Sequence, residues 1–214
     1  MAQPDTVTRL LDAAECLFAE RGFAETSLRQ ITGRAGVNLA AVNYHFGSKK
    51  TLIQAVFARF LTPFCLALDA ALDRRLAAGD GTPLDLDALF RVVADTALEL
   101  NARDPVRGAR FMRLTGQAYT ESQGHLRRWL AVQYGPTFAR LQRLVEAATP
   151  GIAREEMFWR FHFALGSMVF TLSGLSSLQG IAEADFAHRR DFRDVVQRLL
   201  AFASAGIRQE ASRG

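Results

Sequence analysis

Lys49 and Lys50 are the only lysines among 26 basic residues, and they stand side by side directly after the run Tyr44-His45-Phe46. Phenol, imidazole and ammonium groups crowded together suit one chemistry above others, which is holding phosphate oxygens. Thr26 and Ser27 supply a second pair of hydroxyls upstream. Between the two groups lie Leu39, Ala40, Ala41 and Asn43. Two of these are small enough to let a backbone approach closely, and one carries an amide able to pair with a base edge or a phosphate. From Thr26 to Lys50 there are four basic residues (Arg29, Arg34, Lys49, Lys50) and no acidic one, so this segment carries the whole formal charge of +4. A local positive patch on an otherwise balanced chain implies a polyanionic partner.

Those residues need helices to position them. Val7, Leu10, Leu11, Ala14, Leu17 and Phe18 recur at helical spacing, with Asp5 or Thr6 as cap and Gly22 as stop. Thr26-Ser27 caps a short helix with Leu28, Ile31 and Ala35 inward, ended by Gly36. Asn38 caps a second short helix, Leu39 to about Phe46, ended by Gly47. Ser48 then starts a long helix through Leu52, Val56 and Phe60, with Pro63 as a kink or break. Two short helices joined by a glycine-containing turn form a helix-turn-helix pattern. Helices this short are unstable alone, so the first helix must cover them as a three-helix unit.

In such a unit the second short helix enters the DNA major groove. It presents Leu39, Ala40, Ala41, Asn43, Tyr44 and His45, while Val42 and Phe46 point back inward. Ala40 and Ala41 suit thymine methyls, and Tyr44 and His45 suit phosphate oxygens. Lys49 and Lys50 fall in the first turn of a helix, where the macrodipole disfavours cations. A phosphate bound to the free N–H groups there explains them, and Thr26 and Ser27 offer the same arrangement one helix earlier. The plainer alternative keeps Tyr44 and Phe46 in a core and leaves the lysines as solubilising charge.

The remainder reads as further helices: near 85–103, from Asp104-Pro105 to about Tyr119, and from Glu121 to Ala148 with a bend at Gly135-Pro136. A long apolar helix follows at about 154–178, then a last one at about 191–208. Turns are expected at Asp80-Gly81-Thr82-Pro83 and Thr149-Pro150-Gly151. The fold class is all-α: a helix-turn-helix domain over 1–47 and a larger helical domain over 48–214, joined by the long helix without a flexible linker. Arg160 and His162 interrupt the most apolar stretch, Met157–Ile181, which fits a core or subunit interface better than a membrane span. Cys16 and Cys65 fit no C-x-x-C pattern and read as buried or idle thiols of a reducing cytoplasm. No G-x-S-x-G, H-E-x-x-H, Walker loop or strand-borne G-x-G-x-x-G is present. The four histidines (His45, His125, His162, His188) have no partners at metal spacing. An enzyme is therefore not expected, nor a metal or cofactor.

The stretch "GFAETSLRQITGRAGVNLAAVNYHFGSKKTLIQAV", Gly22 to Val56, resembles the DNA-binding signature of the TetR family of bacterial transcriptional regulators. The resemblance implies an all-α homodimer whose small head binds palindromic operator DNA and whose larger body binds an effector that releases it. Carried across, Thr26, Ser27, Tyr44, His45 and Lys49 become phosphate contacts, and Leu39, Ala40, Ala41 and Asn43 read bases. The stretches "VNYHFGSKKTLIQAVFARFLTPFC", "FMRLTGQAYTESQGHLRRWL" and "MFWRFHFALGSMVFTLSGL" together resemble the PsrA-like, fatty-acid-responsive subgroup that controls β-oxidation genes. That likeness implies a long-chain fatty acid or acyl-CoA as effector, the alternative being an efflux or catabolic operon answering another hydrophobic ligand. Phe64, Met112 and Phe163 are candidates to line an apolar slot. Arg110, Arg113, Gln117 and His162 are candidate headgroup partners, with plain core packing and solvent-facing charge as their alternatives. The family resemblance also assigns the last two helices to a four-helix dimer interface, consistent with their surplus of apolar surface. Gly166, Gly174 and Gly180 would permit close helix approach there or leave room for ligand.

Overall fold

A computed structural model describes residues 5–79, 83–120 and 124–209. Among these there are helices and no strand. Local sequence sets the first boundaries. Helix α1 (Thr6–Arg21) begins where the Asp5 carboxylate accepts the Thr8 N–H, and it ends at Gly22, whose φ of 88° suits glycine. Helix α2 (Leu28–Ala35) starts with a full capping box, Ser27 Oγ accepting the Gln30 N–H and Gln30 Oε1 the Ser27 N–H. Asn38 caps α3 (Leu39–Phe46), and Ser48 Oγ accepts the Thr51 N–H at the start of α4 (Lys49–Ala78).

The described chain then continues as α5 (Leu86–Arg103), α6 (Pro105–Thr120), α7 (Gly124–Ala148), α8 (Arg154–Ser173), α9 (Leu175–Phe186) and α10 (Phe192–Arg208). Neither Pro63 nor Pro136 ends its helix, since α4 and α7 run through them. Each proline removes one ladder hydrogen bond. Thr62 and Tyr134, adjacent to and two residues from those prolines, hydrogen-bond through their hydroxyls at 2.8 Å.

The single apolar helix expected over 154–178 is corrected by the structure. It breaks at Gly174 into α8 and α9, bent by 74°. The Gly174 N–H closes on the Phe170 carbonyl, and a β-carbon at Gly174 would stand 3.2 Å from that oxygen. The turn over 80–82 and the helix start at Glu121 lie outside the described residues. Among the described residues α4 is by itself long and apolar enough to cross a membrane, and α8 with α9 is so only if the bent pair counts as one span. Within the protein it buries Leu52, Val56, Phe57, Leu68 and Leu72.

Two compact units emerge: Met1–Pro63 with Val106–Gly135, and Phe64–Pro105 with Pro136–Gly214. The boundary expected at 47/48 falls inside the first. Leu10, Phe18, Phe23, Ile31, Val42, Leu52 and Val56 are fully or almost fully buried there. A chain of rings runs Phe18–Phe23–Phe57–Phe111, with Phe60 stacked on Phe111 at 4.7 Å. The second unit centres on Leu68, Leu72, Leu86, Leu89, Val145, Met157 and Ile207. Arg160, 8% exposed, donates to the carbonyls of Ile207 and Gln209, closing the last turn of α10. Arg140 binds Asp69 and Asp73 in the same unit.

Candidate nucleic-acid interface

Helix α3 turns one face in and one face out. Val42 is fully buried and Phe46 half-buried, so the three-helix core holds them. The opposite face leaves Ala40, Asn43, Tyr44 and His45 exposed and Leu39 and Ala41 half-exposed. Tyr44 is 86% exposed, with only an edge contact to His45 at 5.0 Å. Its phenol therefore faces solvent, open to a hydrogen bond from outside the protein.

The helix starts flank this face. Ser27 is exposed at the first turn of α2, and Lys50 is exposed at the first turn of α4. Lys49 is half-buried, with its Nζ 3.4 Å from the Ala24 carbonyl. Thr26 differs from its neighbours because it has no exposed surface, and its hydroxyl donates to the Gly22 and Leu17 carbonyls. It therefore braces the turn beneath the α2 start, and a phosphate contact from its side chain is corrected to a structural role. Arg34 is also occupied, 2.9 Å from Glu20, which holds the Glu20 carboxyl below its usual range through that hydrogen bond. The positive surface beside α3 thus rests on Arg29, Lys49 and Lys50.

One positioning residue escaped the sequence reading. Arg9 Nη2 donates to the carbonyls of Ala35 and Gly36, reaching from α1 to the turn between α2 and α3. Gly36 there has φ 62°, and a β-carbon on it would stand 2.9 Å from Arg9 Nη2. The positive φ favours glycine, and a β-carbon would also push the end of the Arg9 side chain aside. His125, in the same unit, has its imidazole held below the ordinary value, first by burial and then by the charges of Lys50 and Arg128.

Of the effector candidates, Arg110, Met112, Arg113 and Gln117 belong to the first unit and Phe64, His162 and Phe163 to the second. Arg110 lies 3.4 Å from Glu15, and Gln117 Nε2 lies 3.5 Å from the Ala19 carbonyl. Met112 is half-buried and Arg113 exposed on the same helix. Phe64 packs against the core of the second unit. His162 and Phe163 are exposed on α8, and His162 Nδ1 meets the Phe158 carbonyl at 2.7 Å. A cleft of about 300 Å³ opens elsewhere, lined by Asp87, Phe90, Arg91, Leu98, Gln197 and Leu200 among others. It contains none of the candidates.

A covered helix-turn-helix with a small-residue outward face, capped helix starts and acid-free cationic flanks defines a DNA-binding head on a helical body. Family comparison agrees with that class. The model of bacterial regulatory proteins of the tetR family matches residues 10–56, and that of the tetracyclin repressor-like C-terminal domain matches residues 91–206. The chain belongs to the TetR family of transcriptional regulators, and its relatives are regulators rather than enzymes. It is 48% identical over 95 residues to the HTH-type transcriptional repressor Rv3405c of Mycobacterium tuberculosis, covering 44% of this chain and 48% of that one. It is 41% identical over 54 residues to the repressor KstR2 of Rhodococcus jostii, 25% of this chain and 26% of that one. The chain thus spans a quarter to about half the length of these curated relatives. Among solved structures, the fatty acid degradation regulator FadR from Bacillus halodurans superposes with a TM-score of 0.62 at 14% identity. That alignment covers 98% of this chain and all of the other, and at that identity the likeness is one of fold.

Proposed function

We propose that this protein is a repressor that binds palindromic operator DNA as a homodimer and leaves it when a small hydrophobic effector binds the body. The observation that carries the DNA reading is the outward face of α3, with Tyr44 almost wholly in solvent beside an acid-free cationic segment. Leu39, Ala40, Ala41 and Asn43 read bases. Ser27, Tyr44, His45, Lys49 and Lys50 grip phosphates, and Thr26 supports them from beneath. Replacing Lys49 with alanine is expected to weaken operator and random duplex alike and to lower the salt slope of log K by about one. An unchanged slope in a fluorescence titration would remove Lys49 from the contact set.

Two copies joined through α8 and α10 would set two recognition helices about one DNA turn, roughly 34 Å, apart. Operator binding places the protein in the cytoplasm. The effector reading is a long-chain fatty acid or acyl-CoA controlling fatty-acid degradation genes. Its supports are the resemblance read in the body's sequence stretches and the fold shared with FadR. With Arg110 engaged by Glu15, Gln117 by Ala19 and His162 Nδ1 by Phe158, Arg113 is the more available headgroup partner. Oleate and oleoyl-CoA should bind in calorimetry and release the operator, and heatless titrations with both would remove this effector. A second reading, control of an efflux operon, draws on the shared fold with SmeT, the repressor of the SmeDEF multidrug efflux pump of Stenotrophomonas maltophilia. That superposition has a TM-score of 0.57 at 20% identity.

A further inference from the structure

A buried carboxylate sits on α1 with no part in gripping DNA. Glu15 is 1% exposed. Three guanidinium groups surround it: Arg59 Nη1 of α4 at 3.4 Å, Arg107 Nε of α6 at 3.5 Å and Arg110 Nη1 of α6 at 3.4 Å. Asp12, one turn earlier, shares two of these arginines, at 2.8 Å from Arg59 and 3.6 Å from Arg107. All five residues belong to the first unit. Apolar contacts flank the cluster, with Phe111 of α6 stacked on Phe60 and edge-on to Phe57 of α4.

Burying a carboxylate costs about as much as its ion pairs return, so such groups are weak sources of stability. Burial pushes the Glu15 carboxyl up against the pull of Arg107, Arg59 and Arg110, in keeping with that balance. What two carboxylates provide in its place is direction. Guanidinium groups from α4 and α6 converge on one buried carboxylate of α1, so the three helices are tied to a common point. Helix α1 packs on both α2 and α3, so whatever fixes α1 against α4 and α6 also fixes the attitude of α3.

We infer that Glu15, seconded by Asp12, is a positioning residue for sequence-specific DNA recognition, locking α4 and α6 onto the first helix of the head in the register at which α3 reads bases. This deepens the DNA-binding reading above and rests on it. Specific binding needs α3 at a single attitude, whereas non-specific binding needs only cations near phosphates. Loss of the lock therefore separates the two affinities.

The full-length wild-type chain would first select duplexes from a random library. E15Q, R110Q and the double variant would then be titrated against the selected duplex and a scrambled one across a salt series, with melting temperatures measured alongside. E15Q is expected to weaken the selected duplex about tenfold, a loss of the size that coupled residues show. The scrambled duplex and the salt slope should stay unchanged, with no lower melting temperature. R110Q should do the same more mildly. The double variant places two amides where the ion pair stood, and it should recover most of the loss. Unchanged selected-duplex affinity in both single variants overturns the inference. So does a parallel fall of both affinities with the melting temperature and no recovery in the double variant. If E15Q does not fold, R110Q, whose side chain is 38% exposed, decides by the same split. Failure of the wild type to enrich any duplex overturns the DNA-binding reading itself, and this inference with it.

Discussion

Gly36 and Arg9 meet at the tightest point of the head. A residue with a β-carbon at Gly36 would have to hold φ near 62° and displace Arg9 Nη2 from 2.9 Å. The left-handed conformation alone costs about 1 kcal/mol for a residue other than glycine. Gly36→Ala is therefore expected to lower the stability of the head by at least about 1 kcal/mol in urea unfolding, and Arg9→Met by a similar amount through its two lost hydrogen bonds. His125 adds a dependence on pH. Its folded pKa lies below the unfolded value because burial, Lys50 and Arg128 all oppose its charge. The unfolded chain then binds the proton more readily, so this contribution to stability is complete above about pH 6.5 and is lost as pH falls through the folded pKa. A His125→Gln variant should lose less melting temperature than wild type between about pH 7 and pH 5, and equal losses would assign the effect elsewhere. Cys65 behaves oppositely to a sensor thiol. Burial, aided by Asp69, pushes it up to about 11, and it should resist iodoacetamide at pH 8 until the chain unfolds.

At the scale of elements, legibility followed how local the cause was. The starts of α1, α2, α3 and α4 are written in single capping residues, Asp5, Ser27, Asn38 and Ser48, and each is found at its cap. Ser27→Ala should remove one N-terminal hydrogen bond of α2 and cost the head about 1 kcal/mol, while Thr26→Ala, losing two buried bonds, should cost more. Causes arising from packing were not readable. Pro63 reads as a kink or break and Gly135-Pro136 as a bend, and α4 and α7 run on through both prolines. Gly174 looks like an ordinary helix glycine, yet the chain turns there by 74°. Glu15 was partly visible. It stands four residues after Leu11 and three before Phe18, on the inward side of α1, where a carboxylate has to find partners. Those partners come from 44 and more residues away, a pairing that no spacing rule supplies. The outward face of α3 was legible because that helix is short, local and framed by glycines. The surroundings of the effector candidates were less so, since Arg110 turns to Glu15 and Phe64 to the core of the second unit, partners far away in sequence.

The whole molecule has a face that one copy does not use. On α8, Trp159, Phe163 and Phe170 are 50%, 67% and 71% exposed, spaced four and seven residues apart. Trp159 stacks on Phe163 at 6.2 Å, and Phe202 on α10 is 66% exposed. A run of aromatic rings at helical spacing in solvent marks an interface rather than scattered surface apolarity. Gly166 falls in the same stripe, between Phe163 and Phe170, and a β-carbon there meets nothing within 4 Å inside the protomer. Gly166→Arg therefore separates folding from assembly. In an isolated protomer the long side chain has open space and improves helix propensity by about 1 kcal/mol relative to glycine, so helicity and thermal stability of the monomeric form should hold. Across the two-fold axis proposed above the same substitution would be introduced twice, placing two bulky cations between the paired helices. The wild type should sediment as a dimer and Gly166→Arg as a folded monomer. Its affinity for a palindromic operator should fall steeply, because two recognition helices no longer bind as one unit. A half-site duplex should be bound about as well as by the wild-type protomer, since α3 and its phosphate contacts are untouched. Sedimentation of Gly166→Arg as an intact dimer would move the interface off α8 and leave its aromatic stripe to another partner.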